Sequence, residues 1–191
     1  MCWKLVVAFL FPGILLSQEK SPLMALTPFA SYQMFGRSLG FDPALGYGFH
    51  LFFSPASRLA IVGSVSYSPT SVAFDLIGYR DRLDVSVTMY QIGASYALMT
   101  LANVADVGVA GRAGVMRFSR EARSISLGAL GSTSIPEQSE SRSVLSTGLV
   151  LSRSLSRMIS IYLSPELQFT TPVSNTQGNY SISGGLAIGI L

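Results

Sequence analysis

The strongest constraint in this chain is a periodicity of two in which one face is greasy and the other nearly free of charge. From Ala44 to Ser54, Leu45, Tyr47, Phe49, Leu51 and Phe53 fall on one face, with Gly46, Gly48, His50, Phe52 and Ser54 opposite. From Leu59 to Ser68, Leu59, Ile61, Val65 and Tyr67 alternate with Ala60, Val62, Ser64, Ser66 and Ser68. Ile159, Ile161, Leu163, Leu167 and Phe169 oppose Ser160, Tyr162, Ser164, Glu166 and Gln168. Successive side chains of a strand point to opposite faces of its sheet, so each segment reads as a strand with one large apolar face and one small or polar face.

Eight such segments are expected, at about 27–36, 44–54, 58–68, 84–99, 105–118, 142–153, 158–170 and 179–191. Most are longer than the usual strand of about five or six residues. They suit a bilayer crossed at a tilt of roughly 45°. Short connections (55–57, near 100–104, 154–157) alternate with longer ones (37–43, 69–83, 119–141, 171–178) rich in Gly, Pro, Ser and charge. Transmembrane barrels distribute periplasmic turns and extracellular loops in this way. An even strand count puts both ends of the barrel on the short-turn side.

Which side of the sheet is greasy separates two barrels. A soluble ligand-binding barrel keeps its large apolar residues inside and its charge outside. Here the non-greasy face is Gly, Ala, Ser and Gln, too poor in charge to meet water. Only 12% of the 191 residues are charged, about half the share of a soluble domain, and the mean hydropathy is +0.45. No apolar stretch after the N-terminal segment is long enough for a spanning helix, so strands must do the crossing. Charge gathers in the long connections instead (Asp75, Arg80, Asp81, Arg82, Arg120, Glu121, Arg123, Glu137, Glu140), and Tyr47, Tyr67, Phe169 and Tyr180 stand where an interfacial girdle belongs. The expected fold is an all-β, eight-stranded antiparallel up-and-down transmembrane barrel.

Lys4 followed by the apolar run Leu5–Leu16 and the polar Gln18-Glu19-Lys20 reads as a cleaved signal peptide, residues 1–17. A short periplasmic segment, 18–26, then leads into the barrel, 27–191. The single cysteine, Cys2, falls inside the signal, which leaves no disulfide or thiolate metal site in the mature chain. A net charge of +3 gives no nucleic-acid footprint.

The last segment carries the pattern polar-x-Gly-x-x-apolar-x-apolar, filled by Ser183, Gly185, Ile188 and Ile190. With the eight alternating segments, this chain resembles the small bacterial outer-membrane barrels typified by the OmpA transmembrane domain, OmpX and the opacity-type surface proteins. That resemblance implies a bacterial outer-membrane location and contact with membrane lipid and lipopolysaccharide. It also implies insertion by the barrel assembly machinery, with Ser183, Gly185, Ile188 and Ile190 as the assembly signal.

Eight strands enclose an interior that side chains can fill. Alternation turns Arg112, Glu166, Gln91 and Gln168 inward at similar heights, and puts His50 and Tyr162 inward nearer the short turns. An isolated buried charge is costly, so Arg112 and Glu166, two strands apart, are expected to pair in a structural lumen network. His50 is the sole histidine and invites a general-base role, but no Asp accompanies it and it faces the lumen rather than lipid. The reading is therefore non-enzymatic, without metal or cofactor: a monomeric filled barrel with a structural or surface-interaction role. Recognition would fall on loops 69–83 and 119–141, with Phe74, Tyr79, Arg80, Arg82, Arg120 and Arg123 as candidate contacts for an unidentified surface ligand. A small transport barrel for ions or small hydrophobic solutes is the second reading, and a lipid-modifying outer-membrane enzyme the third. The segment 84–99 changes phase, because Leu83, Val85, Val87 and Met89 alternate out of step with Tyr90–Leu98; a bulge near Met89–Tyr90 would reconcile them.

Overall fold

The computed structural model describes residues 23–36, 39–76, 79–101, 105–126, 131–171 and 177–190. Residues 1–17 and most of 18–26 lie outside the described residues. Ten strands follow in order: β1 (Met24–Met34), β2 (Ala44–Ala56), β3 (Leu59–Leu76), β4 (Tyr79–Leu101), β5 (Ala105–Arg120), β6 (Arg123–Ser126), β7 (Ser132–Ile135), β8 (Gln138–Ser154), β9 (Ile159–Thr170) and β10 (Gln177–Gly189). Eight of them close into an antiparallel up-and-down barrel; β6 and β7 form a separate two-stranded hairpin. Closure is made by β1 against β10, in register from Ala25 opposite Gly189 to Met34 opposite Tyr180.

The faces sort as the periodicity demands. Leu45, Ile92 and Tyr47 are 74%, 67% and 63% exposed, and Leu163, Ile182 and Ile188 also point outward. A continuous apolar belt of this kind has no solvent but lipid. Inward positions are small or polar: Thr27, Ser31, Ser64, Ser66, Ser146 and Ser183 are all buried. Space is tight there. Gly48 sits directly across from Phe29, and a Cβ at Gly48 would come within 2.8 Å of that ring, so the glycine makes room for an aromatic inside the barrel.

Several expected boundaries move. β1 starts at Met24 rather than 27, and β10 pairs from Gln177. The connection expected at 69–83 is mostly strand: β3 and β4 stay paired without a break from Leu59 opposite Tyr96 to Leu76 opposite Tyr79. No bulge interrupts them near Met89–Tyr90; the irregularities lie at the short-turn end, between Ala97 and Met99 and between Phe53 and Ala56. Leu83, Val85, Val87 and Met89 continue the inward phase of Gln91 and are buried. What changes along the hairpin is the surroundings: outward positions turn from Tyr90 and Ile92 to Asp84, Ser86 and Thr88 as the strand leaves the lipid, while the inward positions stay apolar and buried. The connection expected at 119–141 likewise holds ends of β5 and β8 and the β6–β7 hairpin.

Pro165 lies within β9 and cannot donate to the ladder. The β8–β9 pairing is interrupted between Gly148–Glu166 and Leu151–Leu163. The Ser164 hydroxyl stands 2.9 Å from the Leu149 carbonyl and 3.0 Å from Glu166 Oε1, and its one proton can serve either. Ser164→Ala is expected to destabilise the barrel by about 1–3 kcal/mol, the cost of a buried acceptor left unpaired. Urea unfolding from lipid bilayers measures it.

Candidate functional site: the filled lumen and the hairpins above it

Arg112 of β5 and Glu166 of β9 form an ion pair across the intervening β8, with side chains only 6% and 4% exposed. Arg112 Nη1 also lies 3.2 Å from His50 Nδ1. A guanidinium can only donate, so this contact makes Nδ1 the acceptor. The His50 ring stacks on Phe29 at 4.3 Å and 17°, and meets the edges of Phe52 and Tyr162, each at 5.7 Å. The lumen thus brings Arg112, Glu166, His50 and Tyr162 into one cluster. Gln91 and Gln168 are placed beside it with partners of their own: Gln91 Nε2 donates to Ser146 at 3.0 Å and Gln168 Nε2 to Ser181 at 3.0 Å.

Toward the long-connection end the lumen changes character. Val87, Met89, Met116, Phe118 and Val144 form a buried apolar cluster, capped by Phe35, Leu39 and Phe41. Phe41 lies 5.2 Å from Phe118 and 5.5 Å from Phe35, and the Arg142 guanidinium sits 5.5 Å above the Phe118 ring. Two layers of different chemistry therefore lie in series, one polar and paired, the other apolar. Sequence reasoning missed the second. Its signal is present in the apolar alternation of Leu83, Val85, Val87 and Met89, which the expected bulge near Met89–Tyr90 would have brought into phase with the greasy face of Tyr90–Leu98.

Most of the candidate contacts above the barrel are engaged within the protein. Phe74 is half-buried against Leu83, Ile125 and Ile135, in a cluster that also holds Val72 and ties the β6–β7 hairpin to the β3–β4 hairpin. Arg123 reaches Asp81 at 3.0 Å and the Arg82 carbonyl at 2.8 Å. Arg82 lies 3.7 Å from Asp42, and Arg120 donates to the Pro136 carbonyl at 3.2 Å. The side chains of Tyr79 and Arg80 lie outside those described. At the other end of the chain, Ser183 and Gly185 face inward opposite Ser31 and Phe29, while Ile188 and Ile190 face outward. Among the described residues no group of His, Cys, Asp and Glu is gathered as a metal site.

Closed eight-stranded architecture, a lipid-facing belt and a filled lumen define a small barrel of the outer-membrane type. Solved structures agree. Neisserial surface protein A superposes with a TM-score of 0.66 at 12% identity, covering 87% of this chain and 97% of its own. OprG of Pseudomonas aeruginosa gives 0.55 at 9% identity over 88% and 96%. Ail, the attachment invasion locus protein of Yersinia pestis, gives 0.50 at 11% identity over 88% and 99%. These likenesses establish a shared fold with bacterial outer-membrane barrels of the group suspected from the sequence. No protein-family model matches the chain, and no curated protein matches it by sequence.

Proposed function

We propose that this chain is a non-enzymatic barrel of the bacterial outer membrane, sealed along its axis, that acts at the cell surface through its β3–β4 and β5–β8 excursions. The observation that carries this reading is the double seal: the Arg112–Glu166–His50 cluster and, beyond it, the apolar plug around Met116, which is 0% exposed. With the axis closed, the parts left to meet other molecules are the hairpins beyond the lipid, and these are built rather than loose, pinned by the Leu83–Ile125–Ile135 cluster and the Arg123 clamp. One structural neighbour is called a surface protein and another an attachment protein, which accords with this reading. Export through a signal at 1–17, insertion by the assembly machinery, contact with lipopolysaccharide and a monomeric state belong to the same proposal. A catalytic role for His50 gains no support, because Arg112 occupies Nδ1 and aromatic rings surround the imidazole.

Planar-bilayer recording tests the seal. The purified barrel is expected to give no discrete conductance steps. Stable steps would overturn the sealed reading in favour of a small transport barrel.

A further inference from the structure

The two ends of the barrel differ on their outer face. Toward the long connections the outward positions of β4 become polar, as at Asp84, Ser86 and Thr88. Toward the short turns they stay apolar to the last residues. Leu98, Met99 and Leu101 end β4 exposed, and Leu155 and Met158, in the connection between β8 and β9, are 58% and 48% exposed. Apolar side chains this open at a turn place it in the lipid interface rather than in free water.

Two cations frame that turn. Arg153 lies near the end of β8, opposite Ile161 of β9. Ile161 belongs to the outward, lipid-facing set, so Arg153 leaves the sheet on the lipid side. Arg157 stands in the turn itself, two residues after Leu155. Both arginines are exposed, and neither has a hydrogen bond or ion pair among the described residues. The turn that carries them is built. The N–H groups of Leu155 and Ser156 donate to the Ile159 carbonyl at 2.8 and 3.0 Å, and the Ser156 hydroxyl accepts from the N–H groups of Met158 and Ile159 at 3.3 and 3.2 Å.

No carboxylate opposes this charge. Asp106 is the one acid at this end among the described residues. It lies opposite Ser152, hence on the other face of the sheet from Arg153, and it accepts the Thr100 hydroxyl at 2.6 Å. At the other end of the barrel, Arg82, Arg123 and Arg142 are paired with Asp42, Asp81 and Glu140.

A guanidinium at the edge of the hydrocarbon lays its aliphatic stem along lipid and puts its fork of donors at the level of the phosphates. We infer that the β8–β9 turn is a headgroup site for an anionic phospholipid of the leaflet on the short-turn side. Arg153 and Arg157 take the phosphate, and Leu155 and Met158 rest among the first carbons of the acyl chains. These two apolar side chains decide for a lipid over a soluble acidic partner, because a soluble anion would leave them in water. The inference depends on the placement of the barrel in a membrane and is independent of what the excursions recognise.

The test uses the mature chain refolded into vesicles of phosphatidylcholine and phosphatidylglycerol, with bromine on the acyl chains of one lipid or of the other. The single tryptophan, Trp3, falls in the expected signal peptide, so Ile159→Trp, lipid-facing beside the turn, supplies the fluorescent reporter. Quenching should show phosphatidylglycerol favoured over phosphatidylcholine at this position by about fivefold, the contribution of one arginine beside an anionic lipid surface. Arg153→Gln with Arg157→Gln should reduce the preference to less than about twofold, whereas Arg117→Gln with Arg142→Gln, the same change of charge at the far end, should leave it intact. Folding of both double variants is checked by their unheated mobility in SDS gels. Equal quenching by the two brominated lipids would overturn the inference. Equal losses in the two double variants would trace the preference to net charge rather than to a site, and would overturn it as well. Either failure leaves the conductance result, and with it the sealed-lumen reading, standing.

Discussion

Replacing Arg112 with alanine is expected to destabilise the inserted barrel by about 3–5 kcal/mol, because it strands the Glu166 carboxylate in a narrow and poorly hydrated lumen. Glu166 keeps the Ser164 hydroxyl, at 3.0 Å, as its only other side-chain partner among the described residues. His50 loses its donor as well. Neutralising the acid in the same molecule, as Arg112→Ala with Glu166→Gln, should recover about 1–2 kcal/mol, the usual coupling for residues in contact. A double-mutant cycle of urea unfolding from lipid bilayers reads this coupling directly. Strict additivity would mean that the two side chains do not meet. Because the Met116 plug stands beyond the pair, the single mutants should remain closed in planar bilayers. Conductance steps in Arg112→Ala would make the pair a gate rather than a brace.

The second large effect belongs to the outer face. Leu163, 45% exposed on β9, lies about midway between the Tyr47–Tyr67 girdle and the short turns. Leu163→Arg should cost about 2–4 kcal/mol, as for a cation near the bilayer midplane, whereas Leu45→Arg, level with the girdle, should cost about 1 kcal/mol or less. Unfolding of both variants from bilayers of one composition checks the gradient. Equal costs at the two depths would contradict the placement of the barrel in the membrane.

The barrel was legible because its two faces meet different solvents, which writes a period of two into every strand. Arg112 and Glu166 were legible for the same reason: alternation turned both inward, and counting from the short turns brought them to one height. His50 was assigned to the lumen but not to Arg112, since a periodicity fixes the face a side chain leaves from and not the direction in which a long one bends. The plug was not legible, because the bulge expected near Met89–Tyr90 treats the apolar residues on both sides of it as one outward face, and the pairing runs through that point unbroken. Above the lipid the apolar phase reverses. Leu83, Val85, Val87 and Met89 look inward because the lumen there excludes water while the outer face meets it. The same reversal lengthened β3 and β4, whose pairing continues past Pro69, a residue that otherwise marks a loop. The β6–β7 hairpin left almost no trace, as Ile125 and Ile135 are its only buried apolar anchors among the described residues of a Ser-rich stretch.

The central claim, that the greasy face looks out into lipid from a closed barrel, is tested most directly by heat modifiability. The mature chain, refolded in detergent and run on an SDS gel without heating, should migrate differently from the boiled sample and should come out of solution when detergent is removed. A chain that shows one mobility heated and unheated, and stays soluble without detergent, would contradict the account and put the apolar face on the inside of a soluble barrel.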